Sequence, residues 1–265
     1  MNGLSLTAIL LLLLTHVGAF AQITSIRTGP SNSEIAEHGQ LIPTVYYFAL
    51  MDEDNSRCQT SERRPLVGAG GVNIMKVCPR TLAVCGEQGS CAIIQNKRTL
   101  SFNILGRVAG QDRYFRIEEN GCRFGYGVNS SCLDPFFTLA ADLNVYKPGD
   151  VIYVPKVNGM LLPNGKVHDG YFIVRDQGRG ITGKGRFDFF SGFFSWRNQS
   201  NPFVKVGLRD QTNRFEYMRV TGPKAQQVRR NRAFPALPAR PVATLPSSDE
   251  IGIDDLLREL EHDRF

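Results

Sequence analysis

The chain has 265 residues, 42% of them hydrophobic and 21% charged, with a formal net charge of +6. That is enough for a sizeable core in one large all-β domain or two small ones. The excess charge lies in residues 1–223 (24 basic, 18 acidic), while the stretch from Lys224 on balances at 7 against 7. So mild and scattered an excess suits anionic polymers such as cell-wall glycans or lipid surfaces, and argues against nucleic acid.

At the N-terminus, "AILLLLLTHVGAFA" is an apolar run ending in Ala19-Phe20-Ala21, an A-x-A cleavage pattern. Residues 1–21 are therefore expected to be a cleaved secretory signal, with Gln22 starting a leader over 22–40. The run is too short for a stable membrane span, and no later segment could supply one. The expected location is exported, either periplasmic or extracellular at the cell wall. Six cysteines (Cys58, Cys78, Cys85, Cys91, Cys122 and Cys132) in such a chain favour disulfides. Fifteen pairings are open, and local pairs such as Cys78–Cys85 and Cys122–Cys132 are the first expectation. No C-x-x-C occurs and no His sits at ligand spacing from a Cys pair, so neither a metal site nor a cofactor is expected.

Helical periodicity is nearly absent between residues 40 and 223. Short β-rich runs recur instead, separated by Gly, Pro, Asn and Asp: "TVYYFAL", "TLSFNIL", "RYFRIE", "FFTLAAD", "VIYVPKV", "GYFIVRD", "RFDFFSGFF", "FVKVGLR" and "FEYMRV". This spacing predicts an all-β barrel or sandwich over 41–223, with the cysteines in its N-terminal half. The turns "LLPNGK" and "YKPGD" fit hairpin chemistry. Residues 224–248 are basic and proline-rich, which predicts an extended linker. Residues 249–265 place Ile253, Leu256, Leu257 and Leu260 at helical spacing after Ser and acids, predicting a short tail helix that could pack on the barrel or dock a protein partner.

"GYFIVRDQGRGITGKGRFDFFSG", residues 170–192, contains Gly178, Gly180 and Gly183 in a G-x-G-x-x-G spacing after an apolar run. A dinucleotide site needs a helix next and an acid about 20 residues on. Here another β-rich stretch follows, so the reading is strand, glycine loop, strand. Asp176 closes the first strand and Asp188 lies in the second, and a fold-back would bring the two carboxylates together. Proximity and the neighbouring Phe side chains would both raise a carboxyl pKa, as the general acid for cleaving a glycosidic oxygen requires. On residue types alone, a turn cap at Asp176 and an ordinary surface position at Asp188 are the simpler reading, since Asp beside Gly is common loop chemistry.

From "FFTLAADLNVYKPGDVIYVP" through "PNGKVHDGYFIVRDQGRGITGKGRFDFFSG" the chain resembles the three-aspartate (3D) domain, the catalytic part of membrane-bound lytic transglycosylases of the A type. The three aspartates stand at Asp142 in "LAAD", Asp176 in "DQGRGITG" and Asp188 in "RFDFF". The interval between the second and third is one residue longer than in the family, at Lys184-Gly185; within a strand this would turn Asp188 to the other face unless a bulge, for which Gly185 is suited, absorbs it. The resemblance implies an all-β fold with a six-stranded double-psi β-barrel. It implies an enzyme that cleaves the β-1,4 bond between N-acetylmuramic acid and N-acetylglucosamine in peptidoglycan without water, releasing 1,6-anhydro-muramyl products. Asp188 would be the acid/base, assisted by Asp176 and Asp142. Gly178, Gly180, Thr182, Gly183 and Lys184 of the loop would contact substrate, with Thr182 standing where the family usually carries Lys. His168, Asp169, Tyr126 and Trp196 are further candidates to border the glycan cleft, each also explicable as loop or core structure. Two other functions remain open at this point: a non-catalytic, expansin-like glycan-binding module, and a cell-wall adaptor working through its tail.

Overall fold

The computed structural model describes residues 29–237. The expected signal, the tail helix and the proline-rich linker from residue 238 on lie outside the described residues. Twelve strands and three helices follow one another: β1 (Ile35–Tyr46), β2 (Ala49–Asp52), β3 (Arg64–Val67), β4 (Asn73–Val77), α1 (Pro79–Gln88), β5 (Ser90–Gln95), β6 (Arg98–Val108), β7 (Gln111–Arg116), β8 (Thr138–Ala141), β9 (Val151–Tyr153), β10 (Tyr171–Asp176), β11 (Arg186–Phe190), α2 (Pro202–Lys205), β12 (Phe215–Val220) and α3 (Gly222–Asn231).

Six strands close into a barrel in the order β1-β11-β8-β10-β9-β12, with β12 returning to β1. Two of the pairings, β1–β11 and β10–β8, are parallel and the others antiparallel. Side-chain alternation divides each strand between two faces. Leu139, Ala141, Phe172, Val174, Phe187 and Phe189 point inward and meet Phe203 in the barrel core. Each fully buried Phe contributes about 1.5–3 kcal/mol. On part of the outer face, Val151, Tyr153, Tyr171, Ile173 and Val220 are covered by Ala225 and Val228 of α3.

After β1 the chain leaves the barrel at Tyr47-Phe48 and builds a second, disulfide-bonded unit. Its four-stranded sheet runs β2-β5-β6-β7, with β3 and β4 forming a separate pair. Leu66, Val77, Ile93, Phe102 and Tyr114 lie in its core. Where the two units meet, Tyr46, Ala140 and Phe190 from the outside of the barrel pack on Phe48, Ala92, Ile117 and Leu133. Among the described residues, no helix is long and apolar enough to cross a membrane.

Several expectations need correction. β1 starts at Ile35, inside the stretch read as leader, because its early residues pair with β12. The run "TVYYFAL" is split between β1 and β2. "FVKVGLR" begins not as a strand but as α2: Pro202 presets the first helical position, and the Asn201 side chain accepts from Phe203 N. The proline-rich segment starts as α3, whose Lys, Gln and Arg residues favour helix while Ala225 and Val228 anchor it. The bridges are Cys58–Cys78, Cys85–Cys91 and Cys122–Cys132. Cys78 and Cys85 cannot pair because Cys78 caps α1 and Cys85 lies two turns along it, about 10 Å up the axis.

Candidate active site

Strand register assembles the site. On β11, Phe187 and Phe189 enter the barrel core, so Asp188 between them must face outward. Asp188 pairs with Thr44 of β1 on one side and Ala140 of β8 on the other. On β10 strict alternation would send Asp176 inward after Phe172 and Val174. The register with β8 instead shifts between Val174 and Asp176, so that Asp176 also pairs with Ala140. This bulge at Arg175 turns Asp176 to the outer face. The two aspartates thus flank Ala140, whose methyl leaves the space between them open. Gly185, with φ +74, ends the loop before β11, and a Cβ there would lie 2.4 Å from the Gln40 carbonyl oxygen. The extra residue near Lys184-Gly185 therefore stays outside the strand and leaves the facing of Asp188 unchanged with no register shift in β11; the shift at Arg175 belongs to β10 and acts on Asp176.

Burial pushes the Asp188 carboxyl up to about 6, against a lowering hydrogen bond from Thr44 and the nearby Arg186 guanidinium; Asp176 and Glu87 add to the rise. Burial likewise raises Asp176 to about 6, opposed by hydrogen bonds from Gln177 N and the Tyr46 hydroxyl. That hydroxyl donates to Asp176 Oδ2 at 2.9 Å. Burial and the two carboxylates hold Tyr46 well above its ordinary pKa, so it stays a donor. Arg186 Nη1 donates to Thr44 Oγ1 at 2.8 Å, fixing the hydroxyl that serves Asp188. Asp188 Oδ1 is buried and has no hydrogen-bond partner among the described residues. An unpaired oxygen held out of water disfavours the charged form, which adds to the pressure toward a protonated carboxyl.

Both aspartates open on a cleft of about 870 Å³ between the barrel and the second unit. One wall is Gly86–Ser90, the end of α1 and its turn, closed at both sides by the Cys85–Cys91 bridge. The Gln88 side chain fixes this wall by accepting from Tyr47 N at 2.9 Å. Asn103, Ile104, Leu105 and Phe115 of the second sheet complete that side, facing Gln177, Gly178 and Arg179 of the glycine loop.

The expected site residues do not all converge. Asp142 is not among the residues lining the cleft. It accepts from Gly183 N at 2.7 Å and Asn144 N at 2.9 Å, and these bonds hold its pKa below the usual carboxylate range. It anchors the far end of the glycine loop. Gly178 and Tyr126 line the cleft, whereas Gly180, Thr182 and Gly183 do not. Lys184 is turned away to Glu37, with Nζ 3.1 Å from Oε1. His168 is fully buried, and desolvation lowers it to about 4. Its Nδ1 accepts from Gly170 N, so the proton sits on Nε2, which donates to the Phe136 carbonyl at 2.7 Å. Asp169 caps Tyr171 N and pairs with Arg232. Trp196 packs against the barrel core. These three serve the fold because the hairpin and loops that carry them lie away from the cleft.

Sequence reasoning missed Tyr46, Thr44, Glu87, Asn103 and the wall 86–90. Alternation along "TVYY" would have put Thr44 and Tyr46 on one face, but nothing local said which face met Asp188. Glu53, Cys58 and Cys78 bring candidate metal-ligand atoms within 4.8 Å of one another. Both sulfurs are spent on their mutual bond, and the carboxylate is engaged by Arg63, Cys78 N and Thr81.

Residues 137–199, from the start of β8 to just past β11, match the family model of the 3D domain, so the chain contains that domain. The structure is also similar to three solved chains at low identity. Escherichia coli MltA with bound chitohexaose is 14% identical, with 69% of this chain and 73% of that chain covered at a TM-score of 0.46. The Agrobacterium tumefaciens membrane-bound lytic murein transglycosylase is 12% identical, with 71% and 75% covered at 0.47. Neisseria gonorrhoeae MltA is 11% identical, with 69% and 73% covered at 0.43. Likenesses of this degree assign no chemistry to this chain. No curated protein matches it.

Proposed function

We propose that the chain is an exported lytic transglycosylase of the bacterial cell wall. It would cleave the β-1,4 bond between N-acetylmuramic acid and N-acetylglucosamine and leave a 1,6-anhydro end. One observation carries this reading: Asp188 is a nearly buried carboxyl in an open cleft, with one oxygen unengaged and a pKa of about 6. The six-stranded barrel with its two parallel pairs supports a double-psi type of fold.

In this mechanism protonated Asp188 gives its proton to the glycosidic oxygen as the bond to the muramyl anomeric carbon breaks. The positive charge that develops there is stabilised by neighbouring carboxylate in a cleft of reduced dielectric. The new Asp188 carboxylate then takes the proton of the muramyl 6-hydroxyl, whose oxygen closes on the anomeric carbon. One carboxyl does both steps, so no second residue is needed to activate water. Asp176 keeps the Asp188 proton in place through its charge and is itself held by Tyr46. Asp142 fixes the loop that forms the opposite rim.

The test is digestion of purified sacculi in water enriched in heavy oxygen, followed by mass spectrometry. The expected products are anhydro-muramyl fragments without label. Labelled reducing ends would mean hydrolysis and overturn the ring-closing step. Binding to insoluble wall with no soluble product would replace the enzyme with a passive glycan-binding module.

A further inference from the structure

The cleft lining carries charges of both signs: Asp176, Asp188, Glu87 and Asp112, with Arg107 of β6 and Arg179 of the glycine loop. Both arginines turn toward a single carboxylate, Asp112 on β7. Arg179 Nη1 lies 3.2 Å and Arg107 Nε 3.8 Å from Asp112 Oδ1. Two guanidinium groups on one carboxylate leave a net positive charge there. Arg179 is further fixed by a bond from Nη2 to the Gly86 carbonyl at 3.0 Å. Arg107 donates from Nε to the Gly110 carbonyl at 2.8 Å. Its two terminal nitrogens make no hydrogen bond among the described residues, and its side chain is 52% exposed. Arg107 therefore presents an open, positioned fork to the cleft.

A planar guanidinium with both terminal nitrogens unengaged matches a carboxylate in bidentate fashion. A neutral sugar gains little from it. A strand bearing carboxylates meets repulsion from Asp176, Asp188 and Glu87, so its charged substituents are best placed at the two arginines, which outnumber the one carboxylate they share. We propose that Arg107, with Arg179 fixed beside it, forms a subsite for a carboxylate carried by the glycan strand. This inference rests on reading the cleft as a glycan site, and it adds how the cleft tells one glycan from another. The carboxylate has two sources in peptidoglycan: the peptide stem and, on muramyl sugars that carry no stem, the lactyl ether. Both present the same group to the fork.

The test measures binding in an Asp188→Asn background, so that turnover does not enter. Three ligands are compared: glycan strands with peptide stems, the same strands with stems removed by an amidase that leaves the lactyl carboxylate, and chitohexaose, which has none. Adding Arg107→Gln is expected to weaken binding of carboxylate-bearing strands about tenfold, the loss of roughly one charge-assisted contact. Chitohexaose binding stays unchanged, and Arg107→Lys falls between. A loss confined to stem-bearing strands assigns the stem carboxylate; a loss confined to stem-free strands assigns the lactyl group, which is an amide wherever a stem is attached; a loss on both means that either carboxylate fills the fork. Equal weakening on chitohexaose, or no change on any strand, overturns the subsite. Failure of the lytic reading would show instead as absent anhydro products in the unmodified protein, with these binding ratios intact.

Discussion

Replacing Asp188 by Asn removes release of anhydro-muramyl fragments from sacculi while the fold persists. Asn has nearly the same shape, but it can neither give a proton to the glycosidic oxygen nor receive one from the 6-hydroxyl. Loss of a general acid or base lowers rates by about 10²–10⁴-fold, and here one group fills both roles, so the upper end is expected. The same variant should be more stable than the unmodified protein at pH 7. The folded Asp188 pKa, about 6, lies above that of an unfolded aspartate. The stability linked to its proton is therefore complete below about pH 4 and lost as pH rises through about 6. Asn behaves as the protonated form at every pH. The gain should be about 1–3 kcal/mol at pH 7 and vanish toward pH 4. Denaturant unfolding at the two pH values checks it; a variant less stable at pH 7 would show that the site is not strained by its own charge.

Substitution of Glu53 by Gln is the second large effect, and it falls on stability. The Glu53 side chain is completely buried and pairs with Arg63 at 2.5 Å. It also accepts from Cys78 N at 3.1 Å and from the Thr81 hydroxyl at 2.5 Å, at the start of α1. Removing the charge leaves a mostly buried guanidinium and a helix N-terminus without their counter-charge. Breaking one partner of such a buried pair costs about 3–5 kcal/mol, or on the order of 10 °C in a chain of this size. Because α1 ends in the cleft wall Gly86–Ser90, binding of glycan should weaken together with stability. A loss under about 1 kcal/mol would mean that Glu53 is not what seats the helix.

The strands and the chemistry of the site were legible to different depths. Short β-rich runs bounded by turn residues marked β8, β10 and β11, whose inward side chains fill the barrel core. The pairing of Asp176 with Asp188 followed from a glycine loop between two strands. The bulge at Arg175 was not legible, since it depends on how β10 lies against β8. Without it Asp176 would sit in the barrel core. Asp142 resembles its two companions in sequence yet serves the loop, because the backbone N–H groups of Gly183 and Asn144 consume it. Helix α1 escaped notice because its stripe is short and interrupted by Gly86. With it went the wall that carries Glu87. His168 and Trp196 look like sugar-binding residues by type; His168 is fully buried, and the partly buried Trp196 packs against the barrel core without lining the cleft.

The most direct test follows the carboxyl carbons of Asp176 and Asp188 by NMR across the pH range. The Asp188 midpoint should fall near 6 in the unmodified protein and move downward in Asp176→Asn, which removes a neighbouring negative charge while burial keeps it above the ordinary range. An Asp188 midpoint near 4, unmoved by that substitution, would contradict the account: the proton needed for bond cleavage would be gone before neutral pH.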